Sequence, residues 1–260
     1  MILEIYSAIF LLGAMIGSFL NVVICRLPKK ESIVVVGSHC PKCAKKLCWF
    51  DLIPILSFFV IRGKCRNCKE KISWQYPLVE FACGALFVGL ALVHGYDSIY
   101  FLRDAVFACF LILIFALDAK HYLVFDEVVL PGIAVGVLAN LAIAWQSGSL
   151  LVGFLNLVTA IFVCGLFFLL QYLISGGRWI GSGDIFIGVM LGAMLGWPLV
   201  GVAVFLSYII GAIVALVLLI QKKKKRGDQL PLGVFLCLGT FVALLWGNDL
   251  LTWYLNRIGF

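Results

Sequence analysis

Two sets of side chains in this sequence have the types and spacing to do chemistry. The first is a pair of aspartates: Asp118 ends Phe115-Ala-Leu-Asp118, and Asp184 ends Gly181-Ser-Gly-Asp184, each at the edge of a long apolar stretch. Ionisable groups beside such stretches are costly to keep and mark functional sites. Two carboxyls facing each other across a water can hydrolyse a peptide bond, the neutral one giving a proton to the scissile carbonyl while the ionised one takes a proton from the water. The second set is thiols. Cys40-Pro-Lys-Cys43 is followed, 22 positions after Cys43, by Cys65-Arg-Asn-Cys68, the ligand spacing of a zinc ribbon with two sulfurs from each knuckle. Four thiolates leave no open position on the metal, so this zinc would be structural.

Each motif has a plainer alternative. A lone aspartate at a helix end commonly serves as a cap or an interfacial polar group. Asp126 and Glu127 follow Asp118 closely and compete for its role, Asp104 sits beside Arg103 as an outer-edge ion pair, and Glu80 is placed either to serve a site or to pair with a nearby basic residue. The four thiols could form two disulfides, which a reducing compartment disfavours, while a redox dithiol would need only one pair. His39 and Cys48 flank the knuckles as bystanders or substitute ligands, and Cys25, Cys83, Cys109, Cys164 and Cys237 lie in apolar stretches as small hydrophobes. The glycines before Asp184 remove side chains where an extended substrate backbone would approach. Without a Gly-Lys-Ser/Thr ending the tetrapeptide is no phosphate loop.

The elements that must position these groups are membrane helices. Of 260 residues, 63% are hydrophobic and 13% charged, against about 45–50% and about 25% in soluble domains. That excludes a soluble enzyme, a disordered chain and a nucleic-acid binder. A crossing helix needs about 20 apolar residues; stretches of this kind lie roughly at 5–25, 77–94, 99–117, 128–145, 150–174, 185–197, 199–220 and 232–254. The expected fold is therefore an all-α polytopic membrane protein of about eight transmembrane helices with a small zinc-ribbon-like cytoplasmic insert. The sixth span is short and runs into Trp197-Pro198, so it tilts, bends or reaches only part-way. Only Glu4 is charged ahead of the first span, so that helix is expected to be retained rather than cleaved as a signal peptide.

Eleven of the 20 lysines and arginines lie between Arg26 and Lys71, and five form the run Lys222 to Arg226. With the N-terminus outside, these segments, Lys120 and Arg178 all fall in the cytoplasm, leaving only Arg103 and Arg257 outside, as the positive-inside rule requires. The same topology puts Asp118 and Asp184 at the cytoplasmic edge, on helices of opposite direction. The expected organisation is a first transmembrane helix over 1–26, a zinc-binding insert over 27–76, and a bundle over 77–260 carrying the aspartates. The insert is too small for a large core, so metal binding would supply much of its folding free energy. Its apolar run Trp49 to Ser57 lies in the membrane interface or packs on the bundle, and the lysine run faces anionic lipid headgroups.

In chain order these features resemble the type 4 prepilin peptidase family, the GxGD-type membrane aspartyl proteases. The resemblance is carried by Gly17-Ser-Phe-Leu-Asn-Val-Val-Ile-Cys-Arg-Leu-Pro28, the cysteine knuckles, Ile53-Pro-Ile-Leu-Ser57, Arg62-Gly-Lys-Cys-Arg-Asn-Cys68 and Tyr76-Pro-Leu-Val-Glu80. It continues through Asp118 with Asp126 and Pro131, then Gly181-Ser-Gly-Asp184 and Pro231-Leu-Gly233. The resemblance implies that Asp118 and Asp184 are the catalytic pair, supported by Gly181, Gly183, Asp126 and Glu80. It implies prepilin or pseudopilin substrates of type IV pili and type II secretion, with a short basic leader, a glycine before the cut and a hydrophobic helix after it. It also implies N-methylation of the new terminus with S-adenosylmethionine, for which Glu80 is the candidate. Phe125 and Val234 replace the family's usual prolines and Phe186 its common lysine. A peptidase without methylation, a proton-coupled transporter and a non-enzymatic zinc-capped assembly factor are the alternatives; the motifs set no oligomeric state.

Overall fold

The computed structural model describes residues 2–34, 37–225 and 228–259, which leaves Arg226 of the basic run outside the described residues. The helices are α1 (Ile2–Arg26), α2 (Leu56–Val60), α3 (Gln75–His94), α4 (Ile99–His121), α5 (Asp126–Gln146), α6 (Leu150–Ser175), α7 (Ser182–Leu195), α8 (Leu199–Ile220) and α9 (Leu232–Ile258), with 3₁₀ turns at Leu27–Lys29 and Trp49–Leu52. Strand structure among the described residues is limited to two isolated antiparallel bridges, His39 with Lys46 and Lys64 with Lys71. All the long helices, seven in number, are apolar and long enough to cross a membrane: α1, α3, α4, α5, α6, α8 and α9. The protein is thus a multi-pass membrane protein. It divides into two compact units, 1–113 and 114–260, and the division falls within α4.

In the first unit α1 and α3 pack antiparallel. Gly13 lies against Gly84, Gly17 against Glu80, and the Asn21 side-chain amide donates to the Tyr76 carbonyl at 3.1 Å. The chain between these helices therefore leaves and returns at one end of the pair. The expected ion pair of Asp104 with Arg103 is present: Asp104, 1% exposed, takes Arg103 Nε at 2.6 Å and His94 Nε2 at 3.0 Å, which joins the end of α3 to the start of α4.

In the second unit α7 is the buried helix, packed by α5, α6 and α9. Ile187, Met190, Leu191, Ala193 and Met194 are at most 1% exposed. Its 14 residues span about 21 Å, short of the roughly 30 Å hydrocarbon core. This is the short sixth span. Ala193 and Met194 of its last turn are buried, so their carbonyls need donors from the protein. Asn140 of α5 supplies them, reaching the carbonyls of Ala193 at 2.8 Å and Met194 at 3.0 Å. Asn156 of α6 holds the following turn, accepting the Trp197 N–H at 3.0 Å and donating to its carbonyl at 2.6 Å.

Asn140→Leu leaves two carbonyls without their donor while keeping an apolar volume in place. The variant is expected to lose about 1–3 kcal/mol per unsatisfied group, read as a lower thermal unfolding midpoint of the full chain in detergent.

Candidate active site and metal site

Asp118 lies in the last turn of α4 and Asp184 in the first turn of α7, 6% and 8% exposed. Each carboxylate accepts from backbone amide N–H at a helix start. Val234 N–H, in the first turn of α9, donates to Asp118 Oδ2 at 3.1 Å, and Gly181 N–H donates to Asp184 Oδ2 at 2.9 Å. Helix N-termini suit this role, because their first amides lack intrahelical acceptors and their dipole favours an anion. Three helix ends thus converge, and the two carboxyls are close enough to interact through their charges. Two carboxyls brought close together are costly to ionise at once.

The sequence motifs around the aspartates have packing reasons that only the fold reveals. A Cβ at Gly233 would meet Asp118 Oδ2 at 2.8 Å and Ile187 Cδ1 at 3.1 Å; glycine there lets the α9 backbone reach the carboxylate. A Cβ at Gly183 would meet Val124 Cβ at 2.6 Å. The bare backbone expected at Gly183 for a substrate is therefore taken up by Val124 of the α4–α5 loop. Gly181 keeps the open reading, since a Cβ there would meet only the Asp184 carboxylate, at 3.6 Å, and the Gly183 nitrogen at 4.0 Å.

Sequence reasoning missed Val234 and Val124. The signal for Val234 is Pro231-Leu-Gly at a helix start, which announces exposed amides; nothing local announces Val124. Asp126 is exposed with Glu127 in the first turn of α5, where acidic groups complement the helix dipole. Phe125 takes extended backbone at the N-cap of α5, and Phe186 is 45% exposed on α7.

In the first unit the Sγ atoms of Cys40, Cys43, Cys65 and Cys68 all lie within 4.8 Å of one another. Cys40 and Cys68 are 3.8 Å apart, matching the edge of about 3.8 Å that a tetrahedron with Zn–S of about 2.3 Å requires. The two knuckles repeat one local fold. Cys40 N–H bonds to the Lys45 carbonyl and Cys65 N–H to Glu70; Ala44 and Lys69, each four residues on, return N–H bonds to Cys40 and Cys65 with positive φ of 55° and 60°. Four thiols in this geometry fit a zinc ion, and the cluster would hold it as a structural brace. His39 binds instead to the Gly37 carbonyl at 3.0 Å, and Cys48 N-caps the 3₁₀ turn at Trp49; neither joins the four. The Lys45 amide, then Asn67, hold the Cys43 thiol down at about 6. The amides of Cys68 and Asn67 lower Cys65. For Cys68 the Glu70 amide pulls down, but burial and shared bonding with Cys65, Cys43 and Cys40 push it up to about 11.

Glu80 is buried in α3, and its carboxylate accepts the Ile55 N–H at 2.7 Å. Of the two roles open to it in the sequence, serving a site or pairing with a basic residue of the insert, the contact seen is with this backbone amide. Ile55 has φ of +62°, a conformation that costs a β-branched residue energy, and the charge-assisted bond to Glu80 stabilises it.

Residues 11–94 match the family model described as the bacterial peptidase A24 N-terminal domain, and residues 105–216 match that of the type IV leader peptidase family. The chain is 30% identical over 276 residues to a prepilin leader peptidase/N-methyltransferase of Pseudomonas putida, covering 96% of this chain and 93% of the relative. The corresponding protein of Pseudomonas aeruginosa is 32% identical over 285 residues, with 96% and 93% covered. That of Bacillus subtilis is 30% identical over 255 residues, with 96% and 98% covered. No solved structure matches.

Zinc binding to the four thiols must displace the protons they still carry, chiefly that of Cys68, so affinity should rise with pH. Titration of the metal-stripped full chain with zinc is expected to show one ion per chain, bound more weakly at pH 6 than at pH 8. Cys65→Ser should lower both affinity and stoichiometry.

Proposed function

Because the chain belongs to the type IV leader peptidase family, we propose that it is an inner-membrane aspartic endopeptidase that removes the short basic leader of prepilins and pseudopilins after a glycine. The observation that carries this reading is the convergence of Asp118 and Asp184, each held by a helix-terminal amide, on one end of the second unit. Orientation by the positive-inside rule supports an outside N-terminus and a dyad at the cytoplasmic face, where a membrane-anchored substrate presents a basic leader.

In the reaction one carboxyl of the pair is ionised and the other neutral. The ionised group takes a proton from a water lying between them while the water oxygen bonds to the scissile carbonyl carbon. The neutral group gives its proton to the carbonyl oxygen, forming a tetrahedral diol. Proton return to the nitrogen breaks the C–N bond, releasing the leader as a carboxylic acid and the pilin as an amine. The Val234 and Gly181 amides fix which oxygens face the water, so the geometry is in place before substrate arrives. Gly181 leaves backbone open beside Asp184, and we assign Gly183 and Asp126 supporting roles, in loop packing and at the start of α5.

The new terminus is then N-methylated. S-adenosylmethionine supplies the methyl group, and Glu80 is the residue we assign to that donor: a buried carboxylate held by the neutral Ile55 amide and the Ser18 side chain suits a sulfonium cation. Zinc on the four cysteines braces the insert. The organisation we propose is a first transmembrane helix over 1–26, the zinc-binding insert over 27–76 and the bundle over 77–260.

Co-expression with a prepilin tests the assignment. Asp118→Ala and Asp184→Ala should each lower leader removal by about 10²–10⁴-fold, seen by mass spectrometry of the pilin terminus; cleavage at the parental rate by either would refute it. Gly233→Ala puts a Cβ 2.8 Å from Asp118 Oδ2, which must displace that carboxylate. A tenfold change is about 1.4 kcal/mol, and kcat should fall at least that far with KM little changed.

A further inference from the structure

Between Leu27 and Tyr76 the chain has ten basic and three acidic side chains, a balance of +7 that equals the net charge of the whole protein. All ten basic side chains are exposed, with Arg66 paired to Asp51 at 2.6 Å. The same segment exposes large apolar groups: Trp49 (78%), Leu56 (63%), Phe59 (57%), Val60 (70%) and Trp74 (60%). Surfaces this apolar are rare on water-facing domains and mark a binding face.

The fold ties that face to a membrane helix. Trp74 immediately precedes α3, which is apolar and long enough to cross a membrane. Phe58 and Phe59 of α2 pack against the Trp74 ring, one tilted and one edge-on, with centroids at 4.9 and 6.1 Å. The Glu80 carboxylate holds Ile55 N–H at 2.7 Å, and Glu80 lies five residues into α3, about 8 Å along its axis. The α2 segment is therefore tied at two points to the first turns of a membrane helix. Aromatic side chains at such a level sit in the headgroup region, and lysines with long apolar stems reach past them to the phosphates.

We propose that the insert lies flat on the bilayer, with Trp49, Leu56, Phe59, Val60 and Trp74 in the boundary between headgroups and acyl chains and its lysines on anionic phospholipid headgroups. A basic leader is the wrong occupant, because a bare surface of +7 repels it; lipid phosphates neutralise the insert and let such a leader come close. The proposal rests on the first unit alone and does not depend on the peptidase chemistry.

The test reconstitutes the zinc-loaded full chain into vesicles of phosphatidylcholine, with or without phosphatidylglycerol, containing lipid brominated near the top of the acyl chain. The Trp49 contribution is the difference between the parent and Trp49→Phe. Quenching of that signal should be at least twofold stronger with phosphatidylglycerol and should weaken with added salt. A Trp49 signal unquenched in both vesicles would overturn the proposal and leave the face to a protein partner. Equal quenching in both would overturn the headgroup assignment. A Lys42→Gln, Lys46→Gln, Lys69→Gln variant should keep its zinc and lose the dependence on phosphatidylglycerol; retention of that dependence would count against the proposal.

Discussion

A carboxylate buried in a membrane bundle needs donors, because lipid offers none and burial penalises the charge. In this protein the donors are backbone amides at helix starts. Asp118 takes the Val234 amide of α9, and Asp184 reaches back to the Gly181 amide ahead of its own helix. This requirement orders much of the second unit. α9 must begin where α4 ends, Gly233 must lack a side chain for the approach to close, and Gly183 must be bare for Val124 to pack. α7 must start at the same level, and being buried it needs Asn140 and Asn156 to satisfy its far end.

The insert solves a different problem with the same economy of parts. It is too short to hold itself together by apolar burial, and its two knuckles repeat one backbone pattern that brings four sulfurs within reach of a single ion. The span that follows anchors it: Glu80 stabilises the positive-φ turn at Ile55, and Trp74 takes the rings of Phe58 and Phe59. The clustered thiols, the Glu80 carboxylate and the aromatic contacts thus each act on a different stretch of the insert.

Much of this was legible in the sequence, for reasons that can be stated. Helix-length apolar runs record a bilayer directly, so the long spans were readable, as was the doubtful length of the sixth. The cysteine spacing encodes a tetrahedron locally, and the four thiols do cluster. The aspartates stood out because charge is rare in such a chain. What was hidden depends on tertiary contact. Val234 donates through its backbone, which side-chain identity does not advertise, and its match to a position where the family has proline made it look like a mere departure. Gly183 was read as open to substrate because Val124, 59 positions earlier, has no sequence mark of its role. Glu80 was left either to serve a site or to pair with a basic residue, and the donor it meets is an amide in a strained turn that no propensity would place there.

We propose that two carboxyls sharing one proton do the chemistry. The pH dependence of leader removal by the parent protein in proteoliposomes addresses it most directly, because such a pair works only when singly protonated. A bell-shaped kcat/KM profile, rising as the doubly protonated pair loses its first proton and falling as it loses its last, is the predicted result. A profile that rises or falls through a single ionisation, with no opposing limb, would contradict the account.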